Sequence, residues 1–167
     1  MPLDARRLAW IRRQFPAVSR DVTGRRRAFL GNGAGTLVCR RAADREALAR
    51  IELSANTGNL FPESRGAEAT IRDGRQAVAD FVNAEGPGTI ISGESATSLL
   101  FHLSYALGRT YSGDENVVAT AYEHFANVSP WVELVNHGRI RGLRFAAFDG
   151  ETFLQDVEGL SEQIDRR

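Results

Sequence analysis

Apolar positions in the first ninety residues recur mostly at helical spacing. Leu8, Ile11 and Phe15 fall on one helical face, and Pro16 stops that helix. The short apolar run Ala28-Phe29-Leu30 reads as a strand entering the glycine-rich turn Gly31-Asn32-Gly33-Ala34-Gly35. Residues 42–53 predict a helix that turns Ala47, Leu48 and Ile51 inward. Asn56-Thr57-Gly58-Asn59-Leu60-Phe61-Pro62 is a loop, rich in residues that tolerate unusual backbone angles. A long helix follows, with Ile71, Val78, Phe81 and Val82 along one side.

Beyond residue 88 the rhythm changes to alternating strand and helix. Thr89-Ile90-Ile91 is expected as a strand, Ala96 to Arg109 as a helix apolar nearly all round, and Gly113-Asp114 as a turn. The next strand is Asn116 to Ala121. Ser129 then caps a helix with Pro130 at its first position, burying Val128, Trp131, Val132 and Val135 until Gly138 ends it. Ile140 to Phe148 offers another strand, and Phe153, Val157, Leu160 and Ile164 a last amphipathic helix. Strands spaced roughly 25 residues apart with one helix between them are the mark of βαβ crossovers in a parallel sheet. The pattern predicts an α/β chain, a mainly parallel sheet with flanking helices, divided into a helical and extended segment over 1–62 and an incomplete α/β domain over 63–167. After Ile164 that rhythm would next require a strand, so the chain is expected to be truncated.

Composition narrows the function classes. Across 167 residues, 43% are hydrophobic, 25% are charged and the formal net charge is zero, which recommends no polyanionic partner. All 21 basic residues are arginine, a bias attributed to coding, and the arginine pairs read as solvated surface with no nucleic-acid role. The single cysteine, Cys39, leaves no internal disulfide and reads as a small core residue. Three scattered histidines and one cysteine match no metal site. No apolar run approaches a membrane helix or a signal peptide, so a cytoplasmic protein with no membrane association is expected.

Two segments can carry chemistry. Ser92-Gly93-Glu94-Ser95 leads from a predicted strand into the apolar helix, where unpaired N–H groups and the helix dipole suit a phosphate. The same residues also make an ordinary cap, with Ser95 serving the helix and no ligand. His124 follows the strand that ends at Ala121, on the side where open α/β sheets bind ligands. It can stack on a planar ring and move protons near neutral pH, or satisfy backbone groups at a helix start. His102 reads as a hydrogen-bonded core residue and His137 as a helix-end residue beside Gly138. Gly31, Gly33 and Gly35 do not form a dinucleotide fingerprint, because Thr36 stands where the third glycine belongs. Nor is Gly93-Glu94-Ser95 a nucleophile elbow, since Thr97 replaces its second glycine.

Taken in order, these segments resemble one family. Phe29-Leu30-Gly31-Asn32-Gly33, Asn56-Thr57-Gly58, the helix through Arg75-Gln76-Ala77-Val78-Ala79-Asp80-Phe81, Ser92-Gly93-Glu94-Ser95-Ala96-Thr97-Ser98-Leu99 and Tyr122-Glu123-His124-Phe125-Ala126-Asn127-Val128-Ser129-Pro130-Trp131 are similar to class V aminotransferases and cysteine desulfurase-like proteins. Gly31 departs from the aspartate usual there. The resemblance implies part of the large domain of the fold-type-I pyridoxal-phosphate enzymes, usually homodimers acting on amino acids. It implies that Gly93, Glu94 and Ser95 bind the cofactor phosphate, Glu94 through its main chain, and that His124 stacks on the pyridine ring and assists proton transfer. The family's chemistry also needs a Schiff-base lysine, and this chain contains none. The expectation is an N-terminal portion that is inactive alone. The alternative is a non-catalytic module or remnant that pairs with an intact homologue.

Overall fold

The computed structural model describes residues 4–164, in two compact units that meet in the chain at Ile90 and Ile91. The first unit opens with α1 (Ala5–Arg13), whose N-terminus is capped by the Asp4 carboxylate accepting from Arg7 N–H. A single 3-10 turn over Pro16–Val18 follows, then a tight hairpin, then α2 (Arg40–Glu52) and α3 (Pro62–Val82). Helices α2 and α3 touch where Gly66 faces Leu53. A Cβ at Gly66 would lie 2.6 Å from the leucine Cδ2, so the small residue sets the approach. The loop between them is tied down by Ser64, which is fully buried. Its hydroxyl donates to Asn56 O at 2.6 Å and accepts from Asn59 N–H at 3.0 Å. Asn83 ends α3 in the left-handed region at φ 56°, a conformation asparagine tolerates.

The second unit holds α4 (Ala96–Gly108), β1 (Asn116–Thr120), α5 (Ser129–Asn136), β2 (Gly142–Ala146) and α6 (Val157–Gln163). β1 and β2 pair in parallel, with Asn116 opposite Gly142 and Thr120 opposite Ala146. The connection between them runs through α5, whose Leu134 is 2% exposed and faces Gly108 of α4. Ala119, Ile140 and Ala146 complete this small core. Parallel pairing, the α4 boundaries, the long α3 and the order of elements from α4 onward agree with the sequence pattern.

Several expectations change. The side chains expected to line the inner sides of α2 and α3, Leu48, Ile51, Ile71, Val78, Phe81 and Val82, are exposed. Ala28-Phe29-Leu30 is not a strand, and Leu30 is 93% exposed. Pro87–Thr89 forms a 3-10 turn, and no strand covers Thr89-Ile90-Ile91. Ile90 does have extended angles (φ −96°, ψ 116°), so its local preference is met. A strand also needs a hydrogen-bonded neighbour, and no described residue supplies one. Helix α4 is buried only at Ser104 and Gly108, while Leu103, Tyr105 and His102 are exposed. His102 is therefore a surface residue, because one face of the helix has no covering layer among the described residues. Ser129 is the first residue of α5, its hydroxyl donating back to Phe125 O, so Pro130 takes the second position. No described helix is long and apolar enough to cross a membrane.

The turn into β1 carries the strongest local electrostatic feature. The Glu115 carboxylate accepts from Ser112 N–H, from the Ser112 hydroxyl and from Gly113 N–H, all near 3.0 Å. Donation by the Ser112 backbone, foremost, lowers the Glu115 pKa from the ordinary 4.5 to about 2. A depressed folded-state value adds stability that is complete above the unfolded value and disappears as pH falls toward about 2. Glu115→Gln is accordingly expected to lower the urea midpoint at pH 7. It should also flatten the loss of stability between pH 4.5 and about 2, read from urea melts across that range.

Candidate functional site

Both candidate segments lie in the second unit. The α4 start is a complete capping box: Ser95 Oγ accepts from Ser98 N–H at 3.1 Å, and Ser98 Oγ accepts from Ser95 N–H at 3.3 Å. One orphan donor of the helix is thereby consumed inside the box. The N–H groups of Gly93, Glu94, Ala96 and Thr97 have no hydrogen-bond partner among the described residues. They stand at the positive end of a 13-residue helix, and the segment is exposed to solvent. Gly93 has a packing reason for its lack of a side chain, because a Cβ there would lie 2.8 Å from Leu99 Cδ2. The Glu94 side chain is exposed and makes no hydrogen bond or ion pair among the described residues, so only its main chain suits an anion.

His124 sits four residues beyond the end of β1 and caps a 3-10 turn over Phe125–Asn127. Its Nδ1 accepts from Ala126 N–H at 3.1 Å. That bond gives the neutral imidazole one tautomer, with the proton on Nε2. The ring itself is exposed. The turn carrying His124 packs against α4, the same helix that Gly93, Glu94 and Ser95 enter. The structure thus brings the two segments onto one element.

A chain of side chains, not recognised from the sequence, holds the His124 turn in place. Thr120 at the end of β1 donates to Glu123 Oε1 at 3.4 Å, and Asn127 Nδ2 donates to Glu123 Oε2 at 2.9 Å. Trp131 Nε1–H of α5 donates to Asn127 Oδ1 at 3.3 Å. The relay runs from strand to turn to helix in steps of three, four and four residues, so His124 is flanked by groups bonded at both ends. That i, i+4 spacing between Glu123, Asn127 and Trp131 was the signal available in the sequence.

Beside the turn stands an aromatic wall. Tyr122 stacks on Phe148 with ring centroids 4.5 Å apart, and Phe148 on Phe153 at 6.1 Å. The Tyr122 hydroxyl donates to Phe153 O. Phe153 is held at φ 56° by a loop built on Asp149, whose carboxylate accepts from Glu151 and Thr152 N–H. Donation from the Thr152 backbone, chiefly, holds the Asp149 carboxyl below its usual range. Among the described residues no group of histidine, cysteine or carboxylate side chains is arranged to hold a metal.

With this geometry in view, known proteins give a consistent picture. The family model described as Aminotransferase class-V matches residues 28–167. A cysteine desulfurase of Pectobacterium atrosepticum is 30% identical over 161 residues, which cover 94% of this chain and 39% of that protein. The chain therefore spans 39% of the length of that relative. Among solved structures, the cysteine desulfurase CsdA of Escherichia coli superposes with a TM-score of 0.67 at 23% identity, covering 94% of this chain and 38% of the other. The apo cysteine desulfurase of Thermococcus onnurineus NA1 gives 0.71 at 20% identity, covering 90% and 36%. The described α/β arrangement is thus part of the fold these enzymes share.

Cutting the relay tests what it does. Asn127→Ala leaves Trp131 Nε1–H and Glu123 Oε2 without their partner, and is expected to cost about 1–3 kcal/mol in urea unfolding. Trp131 fluorescence should shift and the His124 ring signals should broaden or split as the turn loosens, with α4 helicity unchanged by circular dichroism.

Proposed function

The chain belongs to the class-V aminotransferase family, and from that premise we propose that it is the N-terminal portion of a pyridoxal-phosphate-dependent, cysteine desulfurase-like protein. The observation that carries this reading is the setting of His124. It follows the carboxyl end of β1, its ring is exposed, its Nδ1 is tied to a backbone N–H, and its turn rests on the helix led by Gly93-Glu94-Ser95.

The residues suit the cofactor at two of three points of attachment. The backbone N–H groups of Gly93, Glu94, Ala96 and Thr97 suit a phosphate ester at the α4 dipole, while the Ser95 hydroxyl is engaged with Ser98 inside the capping box. The exposed imidazole of His124 suits a planar aromatic ring, and its Nε2 is the atom at which a proton would be held or passed. The third attachment, a lysine amine, has no candidate in the 167 residues. When bound, the cofactor supplies an electron sink for the amino-acid substrate. These residues would bind and orient that cofactor, and the 167 residues hold no amine to join it covalently.

Incubated with pyridoxal phosphate and L-cysteine, the 167-residue chain is expected to release neither sulfide nor alanine. The cofactor should be held weakly and reversibly, competed by inorganic phosphate, with His124→Ala weakening its retention by several fold. Turnover of cysteine by the chain, or retention indifferent to both phosphate and His124→Ala, would contradict the reading.

Exposed apolar side chains favour a second reading alongside the first. In the second unit Ile91 is 79% exposed, Leu103 of α4 49% and Tyr105 of α4 47%. Such surface suits pairing with an intact class-V protein. Mixing the chain with an intact class-V desulfurase should yield a stable hetero-complex by light scattering. Separate elution of the two at micromolar concentration would remove this second reading.

A further inference from the structure

Charge is divided unevenly along the chain. The first 43 residues hold ten arginines and only two carboxylates, Asp4 and Asp21, while the remainder holds 11 arginines and 19 carboxylates. Both acids in the basic stretch are already engaged. Asp4 caps α1. The Asp21 carboxylate accepts from Thr23 N–H at 2.9 Å, from the Thr23 hydroxyl at 2.7 Å and from Arg25 N–H at 3.0 Å. It builds the turn of the hairpin. Arg27 attracts it electrostatically, but no guanidinium stands within ion-pair distance of it among the described residues, so it offsets the arginine charge only in part.

That hairpin gathers cations. Arg20 and Arg26 pair across it, Arg27 N–H donates to Ser19 O, and Gly24 takes the turn at φ 82°. Arg12, Ser19, Arg20, Arg26 and Arg27 then line one recess of about 480 Å³. Two of the guanidinium groups are held by backbone. Arg20 Nη1 donates to Gly24 O at 2.7 Å, and Arg27 Nη1 donates to Ala17 O at 3.2 Å while its Cζ sits 5.2 Å over the Phe29 ring. Each keeps most of its five donors. The Arg12 and Arg26 guanidinium groups make no hydrogen bond or ion pair among the described residues; the bonds of these two residues are through backbone. Four cations around one recess repel one another unless an anion sits among them, and two are already oriented at no cost to a ligand.

We propose that this recess is a binding site for a small phosphorylated molecule carrying at least two negative charges. Planar arginine forks match phosphate oxygens two at a time, and the Ser19 hydroxyl adds a further donor. The volume falls within the roughly 300–1,000 Å³ usual for small-molecule sites. The site lies wholly in the first unit and uses none of the residues assigned above to the pyridoxal phosphate.

Titration calorimetry of the full chain with inorganic pyrophosphate tests it. One saturable site per chain is expected. Arg12→Gln and Arg26→Gln should each weaken binding about tenfold, and Arg41→Gln, on α2 outside the recess, should change it less than about twofold. Should Arg12→Gln fail to fold, Arg26→Lys serves instead, since it keeps the charge, loses the fork and should still weaken binding several fold. Absence of a saturable site, or equal losses from Arg41→Gln, would overturn the proposal. A single-stranded oligonucleotide that binds more tightly than pyrophosphate and loses nothing to Arg12→Gln would also overturn it, in favour of diffuse polyanion attraction.

Discussion

The second unit depends on one contact, the Leu134 side chain of α5 set against Gly108 of α4. A parallel strand pair cannot close through a short turn, so β1 and β2 are joined by a helix that must lie back on its surroundings. Leu134 is the group that brings α5 down, and a Cβ at Gly108 would lie 2.9 Å from its Cδ2. Removing the leucine side chain would leave Ala119, Ile140 and Ala146 as almost the whole buried apolar core of this unit. Everything at the strand ends inherits its position from that packing.

From this follows the placement of His124. β1 ends at Thr120, and the chain must turn to enter α5 within nine residues. Thr120, Glu123, Asn127 and Trp131 span that turn with hydrogen bonds from strand to helix. His124 lies inside the span, an exposed residue with its Nδ1 committed to Ala126 N–H. A fixed tautomer on a braced turn suits a group that meets a ring and handles a proton. The α4 start is braced in the same manner by Ser95 and Ser98, which frees neighbouring backbone donors for an anion. Site and scaffold here are one construction.

Much of this was legible in the residues. The existence and length of α3 and α4, the Ser95 cap and the strand at Asn116–Thr120 depend on local preferences that a single chain displays. Which side of α3 is covered was not legible, since Ile71, Val78, Phe81 and Val82 are exposed. Ala28-Phe29-Leu30 and Thr89-Ile90-Ile91 misled because a strand is a relation between two segments, and extended angles at Ile90 do not create a neighbour. His102 was placed in a core because α4 is apolar on every side, yet apolarity does not state how many faces are covered. The Asp149 loop, which holds Phe153 in a left-handed conformation, has no periodic signature at all. Absence of lysine, by contrast, was visible at once and constrains the chemistry more than any distance.

Native-state hydrogen exchange tests most directly the claim that the β1–α5–β2 unit packed on Leu134 is what positions the site. Amides of β1, α5 and β2 should exchange most slowly and as one cooperative group, with the His124 turn opening alongside them. Phe29 and Ile91 should exchange quickly. Protection of Phe29 and Ile91 equal to that of β1, or a His124 turn that stays protected after β1 and β2 have opened, would contradict this account.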